Sequence, residues 1–510
     1  MKPLRREKAV ASDVEGKSSL FEIAFDPPPR GSRRSAESVY AQLRAAILDG
    51  RLVPGSKLPV ERQSAVFFGV SRNTVARAYA KLAIEGLVLS RRGSGTYVAP
   101  KQRRPSREHF PAQRAPDSRL NSLWERPELA QALNFWHDNQ RTTSSKAAAA
   151  FLDFRPALVD PRLFPFDIFR RVSAKQLRRM ELKPPAFKSP QGNQGHFPLR
   201  TAIATHIGVS RAVVCEPDDV LVTAGAQQAF DILARVLVTP GVTTVAIEDP
   251  GYPPMRAAFL AAGAKLVPVP VDAQGLVVDA LPVPVQIVCV CPSHQFPLGV
   301  SMSAQRRAAL LDFARKHGAV IVEDDYDGEF RYDGTPLQAL RSTATAEDVF
   351  YVGTFSKCML PALRLGFLVA PQWAMPALTT AKNCLDWHCP TLTQMAVAGY
   401  IADGHLAQHV RKLRDVYRKR RDLVWEILRS DFAGELSPMQ SHYGMHVAAF
   451  STLPKRLERV TARLLESNVH LHSFERYFFG APTSEGLVFG YGAVDLKDIE
   501  QGLKALRRVL

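Results

Sequence analysis

The sequence predicts an α/β protein with a small helical module in front of it, and three observations carry that expectation. The 510 residues exceed what a single hydrophobic core serves, so at least two domains are expected. Positive charge is concentrated at the front: of a net +17, residues 1–110 hold 21 Lys/Arg against 10 Asp/Glu, or +11. Between Val220 and Val369 short apolar runs alternate with helical patterns, which argues for a mainly parallel sheet covered by helices on both sides. With 46% hydrophobic and 23% charged residues, the composition is that of a globular protein. No apolar run approaches about 18 residues, and the N-terminus lacks an apolar signal core, so membrane and secretory readings are disfavoured. The six cysteines are scattered without a CxxC pair; structural disulfides and zinc are not expected, which fits a cytoplasmic protein.

Residues 1–34 read as a loosely held basic arm. From Ser35 the positions Tyr40, Leu43, Ile47 and Leu48 recur at helical spacing, and Gly50 closes that helix. A Pro-Gly turn leads to a short helix, Val60 to Phe68. Gly69-Val70-Ser71 follows, with Ser71 as the N-cap of a helix from Arg72 to Glu85. Leu87-Val88-Leu89, the tip Arg91-Arg92-Gly93-Ser94-Gly95 and Thr96-Tyr97-Val98 complete a basic hairpin. This order is a winged helix-turn-helix over 35–99. The second helix of such a pair presents its N-terminal residues to base edges. Ser71, Arg72, Asn73, Thr74 and Arg77 occupy that end, where Arg and Asn suit bidentate base contacts and Ser and Thr suit phosphates or bases. Arg62, Arg91 and Arg92, with Gly93 and Gly95 shaping the wing, are backbone or minor-groove candidates. Residues 100–149, rich in Pro, Arg and Gln, read as a linker. Trp124, Leu129, Leu133, Phe135 and Trp136 either form a docked helix within it or adhere to a neighbouring surface.

The body spans 150–510. The strand Val220–Thr223 ends in Ala224-Gly225-Ala226-Gln227, a small-residue turn whose free backbone N–H groups, at a helix N-terminus, suit a phosphate. Strands ending in Glu248 and Val290 lead into Asp249-Pro250-Gly251-Tyr252 and Pro292-Ser293-His294-Gln295. Tyr252 on its rigid turn can stack on a flat ring; His294 reads as a hydrogen-bonding residue at a strand end, and no metal site is expected. Ala319–Val322 delivers Glu323, Asp324, Asp325 and Tyr326, while Val349–Val352 delivers Thr354, Ser356 and Lys357, with Arg364 beyond. Ligands of open α/β sheets bind at this edge. A lysine beside an acid at a buried strand end can lose its proton and condense with an aldehyde. An acid for a ring nitrogen, a phenol for a ring oxygen, a phosphate cradle and an imine-forming lysine are the needs of pyridoxal 5'-phosphate. The residues leave open whether Asp324 or Asp325 meets the ring nitrogen. The basic run Arg411 to Arg421 reads as a solvated helix face or a second positive patch, and about 430–510 as a small α+β C-terminal part.

The stretch VYAQLRAAILDGRLVPGSKLPVERQSAVFFGVSRNTVARAYAKLAIEGLVLSRRGSGTYV resembles the GntR type of bacterial transcription regulator. TAGAQQAF, EDPGYP, CPSHQFPLG, IVEDDYDGEFRY and GTFSKCMLPALRLGF are similar to a fold-type I aminotransferase, and the whole chain resembles the MocR/GabR subfamily of GntR regulators. The resemblance implies Lys357 as the imine lysine, Asp324 as partner of the pyridine nitrogen, Tyr326 on the phenolic oxygen and Tyr252 on the ring. Gly225, Ala226, Gln227, Thr354, Ser356 and Arg364 would line the phosphate. It further implies a double-stranded DNA operator and a domain-swapped homodimer. One departure bears on the effector. Amino-acid-handling members of the fold place an arginine before the strand ending in Gly490, and 481–487 has none. Arg200 or Arg476 would have to substitute; otherwise the effector is pyridoxal phosphate itself or an amine without an α-carboxylate. QGNQGHF also departs from the usual Tyr-Gly-Asp start. The expected function is a transcription regulator that senses such a compound through Lys357, the alternative an active aminotransferase with an accessory DNA-binding head.

Overall fold

The computed structural model describes residues 25–26, 35–91, 94–100, 121–135, 151–184, 192–333, 338–343, 347–440, 442–452 and 457–510. Arg92, Gly93, most of the basic arm, residues 101–120 and Trp136 lie outside them. The chain forms two compact units, 1–115 and 116–510. Among the described residues no helix is long and apolar enough to cross a membrane.

The first unit contains α1 (Ser35–Leu48), β1 (Lys57–Leu58), α2 (Glu61–Phe68), α3 (Arg72–Ile84), β2 (Val88–Arg91) and β3 (Gly95–Val98). Val39, Leu43, Phe68, Val75 and Leu82 close one core between the helices and the sheet. The turn after α2 forms because Gly69 takes φ 63° and Ser71 then caps α3, its hydroxyl accepting from the Thr74 amide at 3.2 Å. The wing has a third strand where the sequence pattern shows only a turn. Lys57 and Leu58 pair antiparallel with Tyr97 and Thr96. Phe25, from the stretch expected to be a loosely held arm, packs its ring 5.4 Å from that of Phe68.

The second unit starts with α4 (Pro127–Asn134) and β4 (Leu152–Asp153), then α5 (Phe166–Leu182) and α6 (Phe197–Arg211). The alternating stretch follows: β5 (Val220–Thr223), α7 (Ala226–Leu237), β6 (Thr244–Asp249), α8 (Pro253–Ala261), β7 (Lys265–Asp272), β8 (Gly275–Leu276), β9 (Ile287–Val290), α9 (Ala304–His317), β10 (Val320–Asp325), β11 (Val349–Thr354) and β12 (Gly366–Val369). These strands make one eight-stranded sheet in the order β5-β12-β11-β10-β9-β6-β7-β8. The central pairs β11–β10, β10–β9, β9–β6 and β6–β7 are parallel, whereas β12 runs antiparallel to β11 and β5. Strand residues alternate between the faces. In β10, Val322 joins the core with Phe350 and Val352, while Ile321 joins the opposite core with Val288 and Val349.

α10 (Met375–Leu385), α11 (Thr391–Ala402) and the long α12 (His405–Asp431) lead to the C-terminal part. It comprises β13 (Leu436–Pro438), β14 (His446–Ser451), α13 (Leu457–Glu466), β15 (Val469–His470), β16 (His472–Ser473), β17 (Gly486–Gly490) and α14 (Leu496–Val509). An antiparallel sheet in the order β13-β14-β17-β16 forms its centre, and β15 pairs parallel with β4 from the start of the unit. The basic run on α12 is partly internal. Arg420 is buried and donates to Asp160 at 3.1 Å and to the Gly492 carbonyl at 2.8 Å, and Arg414 donates to the Glu329 carbonyl at 2.6 Å.

The cap at Ser71 gives a direct test. Ser71→Ala removes the acceptor for one of the first amides of α3 and costs about 1 kcal/mol of helix stability. Hydrogen exchange of the α3 amides in the full chain, read by mass spectrometry, is expected to quicken about fivefold, and exchange in the 116–510 unit to stay unchanged.

Candidate functional site

A cavity of ≈ 260 Å³ opens at the C-terminal ends of β10 and β11 and is lined by Ala157, Leu158, Ala226, Gln227, Tyr252, Phe296, Asp324, Tyr326, Thr354, Ser356, Lys357, Pro361 and Arg364. Nine residues singled out from the sequence meet in it. Gly225 and His294 stand immediately behind.

The alternation of β10 decides which acid faces the cavity. Asp324 and Tyr326, two apart, share a face, and both line it. Asp325 points the other way, accepting from Arg211 Nε at 2.5 Å and from the Tyr351 hydroxyl at 2.7 Å. Burial works against the Arg211 charge, but Asp325 beside it more than compensates and raises its pKa. Removing one member of a buried ion pair of this kind costs roughly 3–5 kcal/mol. Asp324 has no such partner. Its Oδ1 is buried without a hydrogen bond, and its Oδ2 has the Cys291 thiol at 3.7 Å. Burial, with the nearby Asp325 and Asp327, pushes the Asp324 carboxyl up to about 7. An unpaired carboxylate there is suited to a cationic N–H donor on a ligand.

Lys357 follows β11 by three residues, and its Nζ donates to the Ala157 carbonyl at 2.6 Å. Burial lowers its pKa to about 8, against the pull of Asp327 and Asp324, so a useful fraction of the amine is neutral near physiological pH. At the other end of the cavity Gly225 takes φ 82° as the N-cap of α7, whose first amides have no acceptor within the helix. A Cβ on Gly225 would lie 3.5 Å from the Arg364 guanidinium. Arg364, itself at φ 49°, donates to the Ala224 carbonyl at 2.9 Å. The Thr354 and Ser356 hydroxyls are 3.0 Å apart on the same side. Free amides, two hydroxyls and a guanidinium suit a phosphate dianion.

The remaining wall is aromatic. Tyr252 lies edge-on to Phe296 at 5.4 Å and to Phe135 at 5.9 Å. Phe135 ends α4, a helix that packs on α8 within the stretch expected to be linker, and it is 4% exposed. His294 is buried behind Tyr326, its Nδ1 within 2.9 Å of both the Tyr326 hydroxyl and Asp327 Oδ2. His294, Asp327 and His446 of β14 bring one ligating atom each within 4.8 Å of one another. Sequence spacing hid that cluster, because its members come from three separate elements. Asp327 itself carried a signal that was missed: it lies three residues after Asp324, just past the strand end.

Arg200 does not line the cavity. It is buried in α6, donating to the Pro217 carbonyl at 2.7 Å and to Asp218 at 2.9 Å. Arg476 is also not among the lining residues, and its Nη1 meets His472 Nε2 at 3.0 Å. Arg364 is the only arginine among the lining residues.

In the first unit Arg62, Ser71, Arg72, Asn73, Arg77 and Arg91 are placed on α2, the N-terminal half of α3 and the wing, and all six are exposed. Arg72 Nε is steadied by Glu61 at 3.1 Å, Arg91 lies 5.2 Å from the Tyr97 ring centre, and Thr74 is half-buried beside the cap. A Cβ on Gly95, at φ 119°, would meet the Lys57 side chain at 2.8 Å.

Residues 164–505 match the family of class I and II aminotransferases, and residues 35–98 match the gntR family of bacterial regulatory proteins. The probable rhizopine catabolism regulatory protein MocR of Rhizobium meliloti is 34% identical over 476 residues, 92% of this chain and 92% of that protein. The chain belongs to the MocR/GabR type of GntR-family regulator, with a fused aminotransferase-like domain. Another relative of this MocR/GabR-type chain is the pyridoxine biosynthesis transcriptional regulator PdxR of Corynebacterium glutamicum, 32% identical over 454 residues, 89% of this chain and 91% of that one. Among solved structures, the kynurenine aminotransferase of Pyrococcus horikoshii superposes with a TM-score of 0.66 at 25% identity, covering 71% of this chain and 91% of its own. LysN, the α-aminoadipate aminotransferase of Thermus thermophilus, does so with a TM-score of 0.65 at 28% identity, covering 77% and 98%.

The buried acids make this regulator's stability pH-dependent. Burial raises Glu248 to about 8 and Asp324 to about 7, both above their values in an unfolded chain. Such groups favour the fold fully only below their unfolded values, and that contribution falls as the pH rises towards the folded ones, by about 1.4 kcal/mol per unit and group. Thermal melting without added ligand is expected to weaken from pH 6 to pH 8, and Asp324→Asn to lessen the slope below pH 7, where Glu248 still contributes.

Proposed function

We propose that this chain is a DNA-binding transcription regulator that holds pyridoxal 5'-phosphate on Lys357 and senses either that compound or an amine that reacts with it. The unpartnered Asp324 Oδ1 on the cavity wall carries the reading, since a buried carboxylate oxygen without a donor fits the protonated ring nitrogen of this cofactor. The other donors agree with it. From the same cavity Tyr326 would meet the ring oxygen and Tyr252 the ring face; Thr354, Ser356, Arg364 and the amides after Gly225 would take the phosphate, and Lys357 the aldehyde carbon. Bound there, the cofactor supplies an electron-withdrawing ring and a carbon that accepts an amine reversibly. The protein's own part is to present a neutral Lys357 amine, keep Asp324 ionised against a ring cation and exclude water behind Phe296 and Tyr252.

Sensing rather than turnover is favoured by the single arginine. Arg364 serves the phosphate end, which leaves no guanidinium among the lining residues for a substrate α-carboxylate. The names of the relatives point to two effector types, pyridoxine biosynthesis for PdxR and rhizopine catabolism for MocR. An effector regulates only if it binds two arrangements of the protein unequally. In this reading Arg72, Asn73 and Arg77 of α3 read a double-stranded operator, with Arg62, Arg91 and Arg92 on the backbone or in the minor groove, and the active species is a domain-swapped homodimer. The second reading is an aminotransferase with an accessory head, favoured by the complete set of cofactor contacts; sustained keto-acid release from an amine would establish it.

Two measurements test the proposal. Incubation with pyridoxal phosphate followed by borohydride reduction is expected to add the pyridoxyl mass to the peptide containing Lys357 and to none in Lys357→Ala; an unmodified Lys357 overturns the cofactor claim. Gel-shift titration on DNA from upstream of the chain's own gene is expected to show Arg72→Ala weakened roughly 5- to 150-fold, the size of one lost base or phosphate contact. Equal binding by the wild-type chain and Arg72→Ala overturns the assignment of α3.

A further inference from the structure

Behind the cavity wall, Tyr326 meets a buried pair that the chemistry above does not use. His294 Nδ1 is 2.9 Å from Asp327 Oδ2 and 2.9 Å from the Tyr326 oxygen, and all three side chains are buried. The ring is fixed from the C-terminal part as well. His446 lies against it with ring centres 4.6 Å apart and points its own Nε2 at the Pro297 carbonyl at 2.9 Å. Gly444 packs so closely that a Cβ on it would come 1.9 Å from His294 Cε1.

This arrangement determines where the Tyr326 hydrogen goes. Burial lowers His294 to about 3, so the imidazole is neutral and carries one proton. Of the two oxygens facing Nδ1, the Asp327 carboxylate is a stronger acceptor than the phenol, which holds the proton on Nδ1, donated to Asp327. If Asp327 carries the proton instead, it donates to Nδ1. In both cases the Nδ1–Oδ2 axis is occupied by a hydrogen, and Nδ1 does not accept from Tyr326. The phenol hydrogen is left for the cavity side.

We propose that Asp327 and His294 are positioning residues for Tyr326, holding its hydrogen towards the ring oxygen of the bound cofactor and so tuning the proton affinity of the Lys357 nitrogen joined to it. This rests on the cofactor reading above. A hydrogen donated to the ring oxygen spreads that oxygen's negative charge and weakens its hold on the neighbouring proton, so Tyr326 lowers the proton affinity at Lys357. The charged and titratable groups facing this point are Asp324 and Asp327 from the end of β10, Cys291 after β9, Tyr491 and His446 from the C-terminal part, and Lys357 itself. A cofactor–amine equilibrium set in this way belongs to a sensor whose lysine exchanges near neutral pH.

The test is the pH midpoint of the visible absorbance of the full chain loaded with pyridoxal phosphate. Tyr326→Phe is expected to raise the midpoint by about one unit, tenfold in proton affinity. Asp327→Ala frees Nδ1 to accept the phenol hydrogen and is expected to raise it also, by no more than Tyr326→Phe does. Loss of a nearby negative charge acting through space would instead lower the midpoint, so the two causes differ in sign. In the Tyr326→Phe background Asp327→Ala should no longer raise the midpoint; with Tyr326 present, Asp327→Asn, whose amide can still occupy Nδ1, should keep the wild-type value. If Asp327→Ala does not fold, Asp327→Ser, too short to reach Nδ1, reads the same rise. A fall in the midpoint with Asp327→Ala, or a rise that persists without the Tyr326 hydroxyl, overturns the proposal. Absence of visible absorbance in the wild-type chain would instead overturn the cofactor reading, before any variant is compared.

Discussion

The site depends on one constraint, the two-residue period of β10 at a strand end crowded with acids. Four acids between 323 and 327 cannot all be charged in one buried place, and the pleat separates them. Asp325 goes to Arg211 and Tyr351, Glu323 to the Leu340 and Arg341 amides at 2.9 and 3.0 Å, and Asp327 to His294. Only Asp324 is left without a strong donor, on the face it shares with Tyr326. The binding character of the cavity is therefore made by satisfying the other three acids elsewhere. A one-residue slip in the pairing of β10 with β11 would turn Asp325 inwards and strand the Arg211 charge.

Much of this was legible in the sequence, for identifiable reasons. Strands β5, β6, β9, β10 and β11 showed themselves as apolar runs because they are buried on both faces, and each functional residue follows such a run at short range. The cap at Ser71 and the turn at Gly225 were visible because a positive φ or an orphaned amide calls for particular residue types. What stayed hidden was long-range. Period alone could have separated Asp324 from Asp325, but the partner that settles it, Arg211, lies on α6. Nor does local sequence distinguish an exposed arginine from Arg200 or Arg420, whose acceptors are carbonyls and acids far along the chain. The two-residue β1 was too short to show any pattern.

The first unit follows a different logic. Its core is small, and the residues that would touch a partner are held by few contacts, as with Arg72 on Glu61 and Arg91 over Tyr97. Exposed ion pairs of this sort add little stability and are easily exchanged for another anion. The body, beside exposed pairs of its own, also holds charges internally, in Arg211–Asp325 and Arg420–Asp160, where a lost partner is strongly destabilising. One chain thus carries arginines of two kinds, some to be given away and some that cannot move.

The pairing of β4 with β15 has a consequence for how the second unit can come apart. Leu152 and Asp153 lie alongside Val469 and His470, and the Gly490 amide donates to the Phe154 carbonyl at 2.7 Å. The beginning of the unit is thereby stitched into its end, like a belt buckled through its own last loop. A shortened chain beginning after residue 155, or stopping before 469, would lose the fastening from one side or the other. The Ala157 carbonyl that receives Lys357 lies four residues beyond that buckle, so slack in the fastening would reach the Lys357 amine.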